Sequence, residues 1–207
     1  MNNEKKYKLT DETKIVSGTT LHRIEALRDF GIVKSGDLGG WVESENNLSH
    51  DGNCWVSDNA EVSGDARVFG DARVFDDARV SGDTWVFNNA EVFDDAKVSG
   101  NARVSGYAKV FNNAEVFDDA RVFDDAKVCG NARVFGYARV SGDAKVFDDA
   151  RVFGYARVYG NARVFGNARV SDKAQVFDNA RVSGHARVSG NAKVSGDAQV
   201  SGNTRIH

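Results

Sequence analysis

From residue 56 onward, an aliphatic side chain recurs at every sixth position. The series runs Val56, Val62, Val68 and on to Val200, with Ile206 in the last place. It holds for 26 consecutive positions with no insertion or deletion. Two residues before each stands a small residue, alanine except at Cys54, Thr84 and Thr204. That spacing puts the small residue and the valine on one side of an extended strand. The residue between them points the other way and is usually Arg or Lys. The fifth place of each unit is always Gly, Asp or Asn, as in Asp58, Gly64, Gly70, Asp76 and Asn88. Those residue types tolerate a positive φ. Each unit therefore predicts one short strand and one corner.

A helix is excluded, because a period of six scatters the valines around a 3.6-residue turn and sets a breaker in every second turn. One strand and its corner cannot bury their own valine, but stacked coils can. Three units per coil give an 18-residue triangular turn with like residues stacked about 4.8 Å apart. Burial of each valine contributes roughly 1.5–3 kcal/mol. The repeats predict an all-β solenoid of about nine coils. Periodicity alone leaves a four-sided section and either hand open.

The pattern fails in residues 1–38, which read as a capping segment ahead of a solenoid at 39–207. Lys14 to Leu21 predicts a hairpin turning at Ser17-Gly18. Ile24, Leu27 and Phe30 follow at helical spacing and predict a short helix or turn ending at Gly31. The solenoid begins at Gly39-Gly40-Trp41-Val42. Leu48 lies six residues on, and Val56 lies eight beyond it, which places a two-residue insertion near residues 49–52.

Three stretches carry a family resemblance: Leu21-His22-Arg23-Ile24-Glu25-Ala26-Leu27, then Gly36-Asp37-Leu38-Gly39-Gly40-Trp41-Val42, then Asn47-Leu48-Ser49 leading into Ala-Arg-Val repeats. Together they resemble bacterial and phage hexapeptide-repeat proteins that carry transferase or polymer-forming labels. The resemblance implies a single-stranded left-handed parallel β-helix, and the hand comes from it alone. It does not fix an activity, because this fold hosts unrelated functions.

Outside the core the chain is closely charge-balanced, with 27 basic and 30 acidic residues and a net charge of −3. Bulk charge thus favours neither nucleic acid nor membrane. No apolar run approaches the roughly 20 residues of a membrane span. The polar N-terminus is unlike a secretory signal. The expected location is the cytoplasm of the producing cell or of an infected host. Cys54 points inward and Cys129 outward, about 19 Å apart along the stack. A disulfide needs Cα atoms within about 7 Å. No bridge is expected, in keeping with a reducing compartment.

The residue after each valine is nearly always Ser or Phe, and it points outward. On the first face (Val56, Val74 and their successors) Phe75, Phe93, Phe111, Phe147 and Phe165 form a row broken by Cys129. An outward row of Phe predicts a binding surface, most simply for self-association. The second face carries a basic row, Arg79, Lys97, Arg133, Arg151, Arg169, Arg187 and Arg205, interrupted by Glu115. Asp76, Asp77, Asp94 and Asp95 stack at one corner and make a weak Ca²⁺ candidate, which turn chemistry also explains. Hexapeptide acyltransferases share this fold and are similar in placing a catalytic His near a subunit interface. Here only His50 and His185 are candidates, without a protruding loop to build a pocket. The expectation is therefore a non-enzymatic, protein-binding solenoid that takes no cofactor. Its expected partner is a second copy of the chain or another protein, with no membrane, and the charge balance disfavours nucleic acid. The alternative is a hexapeptide-type acyltransferase with an inter-subunit active site.

Overall fold

The computed structural model describes residues 5–207, so the first four residues of the 1–38 segment lie outside the described residues. From Trp55–Val56 to Arg205–Ile206 the chain forms 26 two-residue strands, one per repeat. They assemble into three parallel sheets, one per face of a triangular solenoid. The register is uniform: Arg103 pairs with Arg121 and Val104 with Val122, and each later coil repeats the 18-residue offset. Two backbone bonds per strand tie each coil to the next, as Arg73 N–H to Ala90 O (2.9 Å) and Phe75 N–H to Val92 O (3.1 Å).

The core is the predicted stack of Val and Ala, nearly all of it shielded from solvent. Thr84 occupies an alanine place without stranding a polar atom, since its hydroxyl donates to Ser81 O at 2.7 Å. The fifth-place residues adopt positive φ throughout, from Asp58 (57°) to Gly202 (63°). Aspartate does more there than tolerate the angle. Asp94 Oδ2 accepts the Asn112 N–H at 3.0 Å, and Asp118, Asp124, Asp148, Asp172 and Asp178 repeat the bond to the corner one coil on.

The N-terminal segment continues one face. Strand β1 (Tyr7–Val16) pairs antiparallel with β2 (Thr19–Ala26) across Ser17 and Gly18. Strand β3 (Leu38–Val42) pairs antiparallel with β2 and parallel with Glu61–Val62. Of the short helix or turn expected from Ile24, Leu27 and Phe30, the helix is absent and a turn stands at Gly31, between the bridged Phe30 and Val33. Ile24 lies in β2, both of whose edges are hydrogen-bonded, and Leu27 is exposed rather than on a buried stripe. A strand satisfies more backbone here than a helix would. The insertion stands where the spacing put it. Trp41 and Leu48 pair twenty residues ahead, with Glu61 and Val68, whereas Trp55 pairs eighteen ahead, with Arg73. Buried Asn47 holds the irregular first coil, its Nδ2 donating to Gly64 O and Ala66 O at 2.9 Å each.

Candidate functional site

The outward Phe row stacks in register. On the first face Phe75, Phe93 and Phe111 lie 4.8 and 4.9 Å apart between centroids, with planes within 3°. Phe147 and Phe165 repeat this at 4.9 Å beyond Cys129. The coil rise sets that spacing, so each ring covers its neighbours and all five are half-buried. The first face is not singular. Phe117, Phe135 and Phe153 make an unbroken stack on the second face, and the third carries Phe69–Phe87 and Tyr159–Phe177. The more exposed aromatics are at other positions, notably Tyr137 and Tyr155, stacked at 5.0 Å on one corner. The exposed large aliphatics, Ile15, Leu27, Ile32 and Leu38, all belong to the N-terminal segment.

On the second face the basic row and its corners line a shallow groove of about 1020 Å³. Ion pairs partly neutralise its first half. Glu61 sits 2.8 Å from Lys14 and 3.4 Å from Arg79, and Glu115 sits 2.9 Å from Arg133. At the acidic corner, Asp77 Oδ1 accepts from Asn59 Nδ2 at 3.2 Å, and the Asp76 carboxylate faces the Asp94 N–H. Among the described residues, no group of three His, Cys, Asp or Glu side chains is arranged to hold a metal.

The two candidate histidines lie at opposite ends of the solenoid. His50, in the two-residue insertion, stacks on Tyr7 with centroids 4.4 Å apart. Its Nδ1 accepts the Lys6 backbone N–H at 3.3 Å, which fixes the ring proton on Nε2, 3.8 Å from Glu45 Oε2. Burial lowers its pKa, so the ring is neutral at pH 7. A general base needs a free lone pair aimed at its substrate. His50 has engaged that lone pair, and its Nε2 is buried without a hydrogen-bond partner. Beside it Glu45, Arg67, Phe69 and Trp85 line a depression of about 490 Å³. His185 is exposed at a corner among Arg151, Arg169 and Arg187, in a hollow of about 190 Å³.

A buried lysine near the first coil had no signal in the sequence. Lys6 Nζ donates to Cys54 O at 2.8 Å and Gly52 O at 3.3 Å, and lies 3.1 Å from Cys54 Sγ. Burial pushes the Lys6 pKa down and the Cys54 thiol up. Together they pin the start of β1 to the first coil. Both cysteines are free.

The repeats themselves match a known type. The profile of the YdcK β-solenoid repeat fits residues 72–88, 126–142, 156–172, 174–190 and 186–202. Those stretches are similar to YdcK-type repeats. A stretch of 62 residues is 39% identical to an uncharacterized acetyltransferase, YdcK, of Escherichia coli (strain K12). That match covers 26% of this chain and 19% of the E. coli protein. The part of YdcK matched is thus a small share of its length, and its named activity is a property of that whole protein.

Proposed function

We propose that the chain is a non-enzymatic, rigid protein-binding solenoid that self-associates through the Phe75–Phe165 row of its first face. The observation that carries this reading is the geometry of that row. Parallel rings at 4.8–4.9 Å spacing make an apolar strip along the first face, interrupted once at Cys129. Two such strips laid side by side bury ring edges that a single copy leaves half in water. Among the described residues, the hollows beside His50 and His185 are only partly enclosed. The test is molar mass by light scattering after size exclusion. The native chain is expected to exceed its 22.5 kDa monomer mass. The Phe93→Ser/Phe111→Ser/Phe147→Ser variant is expected to fall to it. A native chain that is already monomeric ends the self-association claim.

The second reading, a hexapeptide-type acyltransferase, draws support from the matched segment of the E. coli protein. It requires His50 to exchange its Lys6 contact for a substrate. Acetyl transfer from acetyl-coenzyme A that is lost in a His50→Gln variant would favour it over the binding module.

A further inference from the structure

The third face carries a different pattern. After its valines come Phe69, Phe87, Ser105, Phe123, Ser141, Tyr159 and Phe177. Serine thus interrupts the ring stack at two alternate coils. Phe123 stands between both interruptions and is the one Phe without an aromatic partner among the described residues. Phe87 and Phe123 face each other across the Ser105 step, and Ser141 repeats the substitution between Phe123 and Tyr159 in the sequence. The first corner residues at these steps are Gly106 and Gly142, which add no side chain of their own beside the serine. At the Ser105 step a hollow of about 320 Å³ lies between Phe87 and Phe123.

The spacing makes each step a ring-sized slot. Two coil rises separate its walls by about 9.6 Å. Every neighbouring pair of rings in the outward rows stacks at 4.8–5.0 Å with planes within 5°. A planar ring inserted at Ser105 would therefore meet both walls in the geometry the protein uses for its own side chains.

Charge defines what the ring should carry. The strand row beside the slots reads Arg103, Arg121, Arg139 and Arg157, with no acidic residue in the run. All four are exposed, and none is within ion-pair distance of a carboxylate among the described residues. Asp124 lines the hollow, but its Oδ2 is turned to the Gly142 N–H at 3.1 Å. Arg103 lies two residues before Ser105 on the same outward side, about 6.6 Å along the strand. That is the span of a ribose. Adjacent guanidiniums one rise apart can share the oxygens of one phosphate.

We propose that the serine steps at Ser105 and Ser141 bind nucleoside 5′-phosphates, the base filling the vacancy between Phe87, Phe123 and Tyr159 and the phosphate lying on the Arg103–Arg157 row. The net charge of −3 argued against nucleic acid for the chain as a whole, but this face departs locally from that balance. The inference is independent of the first-face row.

Calorimetric titration tests it, with adenosine 5′-monophosphate, adenosine, inorganic phosphate and a short single-stranded DNA as probes. The monophosphate should bind more tightly than adenosine or phosphate alone. A Ser105→Phe/Ser141→Phe variant places a ring in both vacancies, using the residue this row already holds at Phe69 and Phe87, and should weaken binding roughly tenfold or more. Ser183→Phe, which adds a ring on the first face, should leave binding unchanged. Should the filled variant misfold, Arg103→Gln/Arg121→Gln is expected to reduce the monophosphate to the level of adenosine. A native chain that does not bind the monophosphate at millimolar concentration overturns the proposal. So does a filled or arginine-depleted variant that binds as the native chain does. Strand DNA that competes with the monophosphate and binds far more tightly assigns the source of the base to a strand, and equal affinity assigns it to free nucleotide.

Discussion

Substituting one corner glycine by alanine separates two costs that the solenoid imposes together. Gly106 and Gly202 have similar backbones, with φ of 72° and 63°. A Cβ on Gly106 would lie 2.8 Å from Asp124 N and 2.9 Å from Asp124 O, whereas a Cβ on Gly202 meets nothing within 4 Å. The left-handed conformation alone costs alanine about 1–2 kcal/mol. Crowding against the next coil's backbone adds about 1–3 kcal/mol at Gly106. Gly202→Ala should therefore cost about 1–2 kcal/mol and Gly106→Ala about 2–5 kcal/mol. Aspartate at the same site sharpens the test. At a like corner Asp94 offers Oδ2 to Asn112 N at 3.0 Å, and a charge-assisted bond of this kind returns about 1.5–3 kcal/mol. Gly106→Asp should be milder than Gly106→Ala, although it adds more atoms. Urea unfolding followed by far-UV circular dichroism reads all three variants. The last coil frays more easily than the middle, which only widens the gap between the two alanine variants. Equal losses at residues 106 and 202, or a larger loss for aspartate than for alanine at 106, would refute the corner mechanism.

Two further outcomes follow from the fold. Burial holds the His50 pKa below its ordinary value of about 6.5, so on acidification the unfolded chain takes up that proton first. The contribution is complete above about pH 6.5 and is lost as pH falls toward the folded-state value; a His50→Gln variant should show a flatter fall in Tm between pH 7 and 5, and parallel curves would contradict this. Val116→Ala, in a fully buried middle coil, should cost about 2 kcal/mol, and Val200→Ala, buried but paired on one side only in the last coil, clearly less. Equal midpoints in urea would show that the end coil is as tightly packed as the middle.

The solenoid was legible because each repeat states its own geometry. Val116 and Ala114 report the inward side, and Asp118 reports the corner, without reference to any distant residue. Tertiary packing decided what the local pattern missed. Ile24, Leu27 and Phe30 mimic a helical stripe over so short a span that pairing with β1 and β3 overrides it. Lys6 looks like any solvated N-terminal lysine until Gly52 and Cys54 turn their carbonyls toward it. The Phe row was visible, but its half-burial follows from ring-on-ring cover between residues eighteen apart. The vacancy at Ser105 shows only when the third face is written out as a column beside Phe87 and Phe123. The lone-pair engagement of His50 had no sequence signal, because it depends on where the Lys6 N–H lands.

The unbroken register from Val56 to Ile206 makes the length of this shaft quantised. Loss of six residues from the middle would advance everything beyond the cut by one face, so that a Phe column would end abutting a different column. Loss or gain of eighteen would restore every column and change only the reach. Unequal crossing-over between near-identical repeats therefore has one silent step size, and offspring of such events keep their surface markings while the two ends move apart or together by one coil.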